Sequence, residues 1–205
     1  MSDLMEYNGG AVLAMKGKEC IAIACDLRLG AQYETVDMNF KKVYQMGDHL
    51  FVGFSGLATD AQTFSQVLKY EVNLYKLREH RDISPKAFTA LIQDKLYAKR
   101  FAPYFIEPVI AGLDKDNIPY LNSLDTSGAG MNETSYAVAG TCTDNMLGTC
   151  EALYKEDMNP EELFEVISQV LLASVDRDAY SGWGAIVWII TKDQIIERKL
   201  KTRMD

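Results

Sequence analysis

Short apolar runs, separated by turn residues, recur along most of the chain. Residues 11–15 and 20–25 are almost entirely apolar and flank a turn at Gly17, which predicts two paired strands covered on both faces. Further segments have a similar character, and strands are predicted at 42–44, 50–54, 108–113, 120–121, 136–139, 185–190 and 195–200. The first two of these flank a Gly-Asp turn and therefore predict a second hairpin.

Four other segments carry helix signals, and most of them repeat their apolar residues at helical spacing. The first has its apolar stripe at 64–75. The second begins at Ser84, which supplies an N-cap before a first-turn proline. The third is predicted at 143–154, and the fourth begins at Asn159, where a proline and two glutamates precede a strongly periodic stripe. The chain thus contains two predicted pairs of helices, with strands before, between and after them.

This order of elements indicates a fold class. A regular alternation of strand and helix would favour a parallel, doubly wound fold, and the order here is different. Hairpins favour antiparallel sheets, whereas nearly apolar strands require cover on both faces. We therefore predict an α+β fold, a four-layer αββα sandwich of two antiparallel sheets flanked by helix pairs, in a single domain spanning residues 1–205.

Composition and charge exclude several classes of function. The formal net charge is −8, and no cluster of Lys and Arg is present to displace counterions, so we expect neither nucleic acid nor an anionic membrane as a partner. No apolar run approaches the ~18 residues of a transmembrane helix. The first ten residues lack the apolar core of a secretory signal. We therefore expect a protein of the cytoplasm and nucleus.

The sequence lacks a clear serine nucleophile and histidine base of the kind that serine hydrolases use. Ser55 lies in a near match to the nucleophile elbow, but Leu57 replaces the second glycine of that motif. The only two histidines, His49 and His80, each stand beside a charged residue in a predicted loop. Neither histidine is therefore expected to act as the base that a serine nucleophile needs.

A more specific arrangement joins four separated segments. Asp26 ends the second apolar strand, and Lys42 follows it by sixteen residues. Gly56 precedes the first helix, and Asp178 and Ser181 lie in a glycine-containing loop between the last helix and a strand. A buried aspartate and a buried lysine usually form a structural ion pair. The spacing of all these residues, however, suggests more than an ion pair.

Together with the segments 7–12 and 108–114, these residues resemble the beta-type subunits of the 20S proteasome. The resemblance covers nearly the whole chain. Those subunits are N-terminal nucleophile hydrolases (Ntn hydrolases) with a four-layer αββα sandwich, so the resemblance implies the fold that the pattern predicts.

The resemblance also implies roles for the matching positions. In active members, a threonine sixteen residues before the aspartate matching Asp26 is exposed by autolysis, and its free amino group serves as the base. The lysine matching Lys42 favours the alkoxide and pairs with that aspartate. The glycine matching Gly56 helps to form the oxyanion hole, and residues matching Asp178 and Ser181 support the site.

In this chain Gly10 stands in place of the threonine. Glycine has no side-chain nucleophile, and we expect the preceding residues to stay attached, so that the amine remains in a peptide bond. The resemblance therefore implies a non-catalytic structural subunit of the inner beta ring, assembled with other proteasome alpha and beta subunits. Such a subunit would shape the chamber and a neighbouring active site of a threonine-type endopeptidase that degrades proteins in an ATP- and ubiquitin-dependent manner.

Two alternative functions stay open. One is an active peptidase with another nucleophile, such as Ser55 or Thr141, and the other is a stand-alone interaction module. No cofactor is required by any of these functions. The resemblance also suggests a structural Mg²⁺, held by backbone carbonyls of the loop from Asp178 to Ser181, with the terminal carboxylate of Asp205 reaching such a site in the opposite ring. An ordinary loop and a frayed tail are the alternative to that cation site.

Overall fold

The computed structural model describes residues 2–132 and 135–204. Its strands, in chain order, are β1 (Ala11–Lys16), β2 (Ile21–Asp26), β3 (Leu29–Ala31), β4 (Glu34–Asp37), β5 (Val43–Gly47), β6 (Leu50–Gly56), β7 (Ile106–Leu113), β8 (Pro119–Leu124), β9 (Gly130–Asn132), β10 (Tyr136–Gly140), β11 (Ala185–Ile190) and β12 (Ile195–Leu200). Its helices are α1 (Ser2–Glu6), α2 (Ala58–Glu79), α3 (Pro85–Tyr97), α4 (Thr143–Leu153) and α5 (Pro160–Val175).

Two five-stranded antiparallel sheets form the centre of the molecule. The first, sheet I, has the order β10-β1-β2-β11-β12, and the second, sheet II, has the order β5-β6-β7-β8-β9. One apolar core lies between the sheets, a second between sheet I and α4 and α5, and a third between sheet II and α2 and α3. The predicted αββα sandwich of two antiparallel sheets is therefore confirmed.

Strand β1 shows why the apolar runs are continuous. Leu13 and Met15 face the helix pair α4 and α5, whereas Val12 and Ala14 face the core between the sheets. Because alternate side chains enter different cores, both faces of the strand must be apolar. The same alternation in β2 and β11 explains why the central strands of sheet I lack an exposed polar face.

The helix starts agree with the sequence signals. The Asn159 side chain accepts a hydrogen bond from the Glu162 amide at 2.9 Å, and the Glu162 carboxylate accepts one from the Asn159 amide at 3.1 Å, which completes a capping box. Ser84 caps α3 in the predicted way by accepting from the amide of Ala87. No helix in the described ranges is long and apolar enough to cross a membrane.

Several short elements were not predicted from the sequence: α1, β9 and the ribbon formed by β3 and β4. The ribbon stands outside both sheets, and its second strand is mostly exposed. Short polar strands carry little periodic signal, so only their tertiary contacts identify them. The ribbon matters for function because it lies beside the residues singled out by the sequence.

Candidate functional site

A buried ion pair forms the centre of the candidate site. The Nζ atom of Lys42 lies 2.8 Å from Oδ1 of Asp26, and their side chains are 5 % and 0 % exposed. The same ammonium donates to the carbonyl of Arg28 at 2.6 Å and to that of Asp26 at 3.4 Å. Since an ammonium group has three donors, Lys42 is fully committed to partners in the protein.

Asp26 connects three segments of the chain through its carboxylate. Oδ1 accepts from the amide of Ala11 at 2.9 Å, and Oδ2 accepts from the amides of Arg28 at 3.2 Å and Gly182 at 3.1 Å. These bonds, with Lys42, join the start of β1, the entry to the ribbon and the loop before β11. A buried carboxylate with this many donors is compensated for the loss of water.

Gly10 lies directly beside the ion pair and has a backbone that suits glycine alone. Its φ is +148°, and a β carbon built on it would lie 2.6 Å from Cε and 2.9 Å from Cδ of Lys42. The Lys42 side chain therefore fills the space that any side chain at position 10 would need. Gly10, Asp26 and Lys42 therefore lie together in the structure.

A second cluster surrounds Asp178. Its Oδ2 accepts from the hydroxyls of Thr141 at 2.5 Å and Ser181 at 2.6 Å, and its Oδ1 accepts from the amide of Tyr180 at 3.1 Å. Thr141 joins this cluster to Gly10, because its amide donates to the Gly10 carbonyl at 2.9 Å. Asp178 and Ser181 were predicted as a pair, whereas Thr141 was not expected to support them. Only the register that places Gly140 opposite Ala11 brings it there.

Gly56 stands on the other side of a very small cavity. Lys42 and Gly56 both line this cavity, whose volume is about 10 Å³. A space of that size holds at most a single water. The φ of Gly56 is +101°, and a β carbon there would lie 3.1 Å from Cε of Met5. The predicted oxyanion-hole glycine therefore lies close to the cluster and stays partly exposed, with the Phe105 carbonyl and the end of the Met5 side chain beside it.

Arg28 is a residue of the site that the sequence did not single out. Its side chain is completely buried and donates to the carbonyls of Tyr180 at 2.9 Å, Gln32 at 2.8 Å and Glu34 at 3.2 Å. The guanidinium also lies 5.5 Å from the ring centroid of Trp183. An arginine between two short strands has the pattern of a surface residue, so only the tertiary structure reveals that it joins the ribbon to the loop before β11.

The alternative nucleophiles have carboxylate partners. The Ser55 hydroxyl donates to Oε2 of Glu107 at 3.4 Å, and burial raises the pKa of Glu107 despite that bond. Within residues 2–132 and 135–204, neither Ser55 nor Thr141 makes a hydrogen bond to a histidine ring. His80 is exposed at the end of α2, as expected, whereas His49 is half-buried and lies 3.1 Å from the carbonyl of Lys192.

The suggested cation site is only partly within the described residues. Asp205 lies outside them, and the carboxylate of Asp178 is already engaged by three protein donors. The described ranges contain no group of three or more His, Cys, Asp or Glu residues positioned for a metal. These findings concern side chains, whereas the ligands suggested in the loop from Asp178 to Ser181 are backbone carbonyls. Binding of Mg²⁺ by carbonyl oxygens of this loop stays a prediction.

Comparison with known proteins gives one family. The model of a family described as "Proteasome subunit" matches residues 6–190. The chain is 54 % identical over 203 residues to "Proteasome subunit beta type-3" of Dictyostelium discoideum, covering 98 % of this chain and 99 % of that protein.

Two further relatives carry the same name. The protein of Picea mariana is 50 % identical over 202 residues, covering 98 % of this chain and 99 % of the relative, and that of Saccharomyces cerevisiae is 49 % identical over 206 residues, covering both chains completely. The resemblance drawn from the separated motifs is confirmed by these matches and by the sandwich fold. This chain belongs to the proteasome subunit family.

Proposed function

We propose that this chain is a non-catalytic structural subunit of the inner beta ring of the 20S proteasome core particle. It assembles there with other proteasome alpha and beta subunits. Support comes from relatives named "Proteasome subunit beta type-3", which match this chain over its whole length. Its role in the degradation of ubiquitin-marked proteins is to complete the ring, to wall the chamber and to shape a neighbouring active site, in the cytoplasm and the nucleus.

The proposal that the chain is non-catalytic depends on the residue at position 10, which is glycine. An N-terminal nucleophile hydrolase needs a side-chain nucleophile and a free amine on one residue. Gly10 offers no hydroxyl, and in this chain its nitrogen is joined to Gly9. The Lys42 side chain occupies the space that a nucleophile's β carbon would take. Peptide-bond attack from this position therefore has neither the attacking atom nor the base.

Asp26 and Lys42 keep a structural role in this proposal. Each has a buried charge whose partner is the other, and removal of one partner of such a pair costs about 3–5 kcal/mol. The backbone bonds of Asp26 also hold β1 against the ribbon and the loop before β11. The pair thus stabilises the fold without taking part in a reaction.

The test uses the tagged chain, isolated gently from cells and treated with an electrophilic probe that labels threonine peptidases. We expect a particle of proteasome mass that contains alpha and beta chains. Its active subunits take the label, and this chain does not. Labelled subunits in the same particle are the internal control.

Two outcomes would contradict the proposal. Label on this chain at Ser55 or Thr141 would favour an active peptidase with another nucleophile. Recovery as a lone chain, without other subunits, would favour a stand-alone interaction module.

A further inference from the structure

Two tyrosines that are far apart in the chain lie against each other at the surface. Tyr33 is in the turn between β3 and β4, and Tyr180 is in the loop before β11. Their rings are stacked, with the centroids 5.0 Å apart and an angle of 25° between the planes. Tyr33 is 75 % exposed and Tyr180 is partly exposed, so small molecules in solution can reach the pair.

The buried Arg28 guanidinium holds the backbone next to both rings. It donates to the carbonyl of Gln32, directly before Tyr33, at 2.8 Å and to the carbonyl of Tyr180 at 2.9 Å. Gly9 packs against Tyr180, because a β carbon built on Gly9 would lie 2.8 Å from Cβ of Tyr180. The stacking of the two rings is therefore set by the fold and not by the chance meeting of two free loops.

The two phenol groups also interact with each other. A hydrogen bond to the Tyr33 hydroxyl raises the pKa of Tyr180 to about 12, so that Tyr180 keeps its proton at neutral pH. The ring carbons ortho to a phenol oxygen lie at the same end of the ring as that oxygen. Contact between the two hydroxyls therefore brings the ortho carbons of the two rings near each other.

A second tyrosine pair in the chain has a different arrangement. The rings of Tyr136 and Tyr154 have their centroids 5.6 Å apart but meet edge to face, at 66°. The Tyr136 hydroxyl donates to Oε2 of Glu151 at 2.6 Å, and the Tyr154 hydroxyl donates to the carbonyl of Lys16 at 3.2 Å. The two pairs thus have similar distances, whereas the hydroxyls of the second pair are bonded to different partners.

We propose that Tyr33 and Tyr180 form an oxidative cross-linking site, at which a small one-electron oxidant, a peroxyl radical, joins the two rings by a carbon–carbon bond. Each phenol gives one electron and one proton to a peroxyl radical, so that two peroxyl radicals become two hydroperoxides. The two tyrosyl radicals then pair their electrons in a bond between ortho carbons. Each of these carbons loses its hydrogen as a proton and each oxygen regains a proton, which restores both aromatic rings.

The coupling needs little movement, because the fold already holds the two rings together. Proximity of this kind raises the rate of reaction between two groups by orders of magnitude. The product is a covalent bridge between the ribbon of β3 and β4 and the loop before β11. A bond between distant segments restricts the unfolded chain, as a disulfide does, so oxidation at this site fastens the ribbon to the loop. This proposal does not rest on the proposed function.

The test treats the full chain, in the form recovered from cells, with peroxyl radicals from a water-soluble azo initiator, followed by proteolysis and mass spectrometry. We expect linked peptides that contain Tyr33 and Tyr180 and are two hydrogens lighter than the separate peptides. A link between Tyr136 and Tyr154 should be at least about tenfold less abundant. Tyr33→Phe keeps the ring without the hydroxyl and should abolish the link, whereas Tyr136→Phe, the matched control, should leave it unchanged.

The dose of initiator is raised until other tyrosines of the chain are oxidised, so that a missing link is informative. The proposal is overturned if Tyr33 and Tyr180 are then still unlinked, or if the two pairs are linked to the same extent. Links from Tyr33 to tyrosines of other chains, in place of Tyr180, would also contradict it.

Urea denaturation then measures the effect of the bond on the fold. The oxidised chain should unfold at a higher urea concentration than the untreated chain. The Tyr33→Phe variant should show no such rise after the same treatment, which separates the bond from other oxidation. Equal midpoints for the linked and unlinked chains would overturn the inference that the bond fastens the ribbon to the loop.

Discussion

Two regions of the molecule contain a lysine–aspartate pair with the same geometry in different surroundings. In the candidate site, Nζ of Lys42 lies 2.8 Å from Asp26, with side chains 5 % and 0 % exposed. Near the end of α2, Nζ of Lys76 lies 2.8 Å from Asp82, with both side chains 59 % exposed. The distance between the charges therefore does not tell how much each pair contributes to stability. Water competes for the charges of the exposed pair and not for those of the buried pair.

The difference also shows what Asp26 and Lys42 contribute to the structure. The exposed pair can be lost with little consequence. The buried pair is joined by backbone amides from three segments, so its loss would leave charges and donors without partners. The hydrogen bonds and burial of Asp26 and Lys42 thus give the pair a structural role whether or not it takes part in a reaction.

The largest expected effect tests this comparison directly. Asp26→Ala leaves the Lys42 ammonium buried without its carboxylate and should lower the free energy of unfolding by about 3–5 kcal/mol. Asp82→Ala is the matched control at the exposed pair and should cause no measurable change. Urea denaturation of the full chain measures both. Similar losses for the two variants would remove the distinction between the regions.

The next effect concerns restoration of the nucleophile. Gly10→Thr places a β carbon against Lys42 and forces a φ that side chains avoid, so we expect a loss of about 1–3 kcal/mol in unfolding free energy. We also expect no labelling by the electrophilic probe, since the residues before position 10 are expected to stay attached and to keep its amine in a peptide bond. Gly10→Ala is the control for the added β carbon. Probe attached to residue 10 of the threonine variant would contradict the expectation.

A smaller effect tests the cluster around Asp178. Thr141→Val removes one hydroxyl donor from a carboxylate and should lower the unfolding free energy by about 1–3 kcal/mol. Thr141→Ser keeps the hydroxyl and serves as the control. Equal stabilities for the valine and serine variants would mean that this hydrogen bond does not stabilise the loop before β11.

The smallest effect concerns pH. Burial raises the pKa of Glu107 above its ordinary value of 4.5, with the Ser55 hydrogen bond opposing the shift. The folded state then binds the proton more tightly than the unfolded state, so this contribution to stability is present below pH 4.5 and is lost as the pH rises through the folded pKa. Glu107→Gln should be more stable than the original chain at pH 7, with the difference vanishing near pH 4. Urea denaturation across that range gives the answer, and a constant difference would contradict it.

Much of the sandwich could be predicted because its signals are local. Alternate side chains of β1 enter two different cores, so the strand is apolar throughout, and the start of α5 is specified by Asn159 and the residues after it. The ribbon of β3 and β4 could not be predicted in this way. It is short, its second strand is mostly exposed, and it is held by hydrogen bonds from Arg28 and by the carbonyls of Tyr7 and Asn8.

The candidate site also contains residues that the sequence could identify and residues that it could not. The resemblance singled out Gly10, Asp26, Lys42, Gly56, Asp178 and Ser181. Thr141 was named only as an alternative nucleophile and Arg28 was not named, because their contacts arise from the register of β10 with β1 and from the position of the loop before β11. Neither relation leaves a periodic or motif signal in the chain.

The sequence by itself determined the layers of the fold, the family to which the chain belongs and the absence of a hydroxyl at position 10. The layers follow from hydrophobic period and capping residues, which act over a few positions, and the missing hydroxyl follows from residue identity. The family follows from the resemblance to known proteins along nearly the whole chain. The tertiary structure alone decided that Lys42 fills the space beside Gly10 and that the Asn8 side chain accepts a hydrogen bond from the amide of Ala58, fifty residues away. The physical reason is that hydrogen bonds and excluded volume between distant segments depend on how the sheets pack, which no local pattern records.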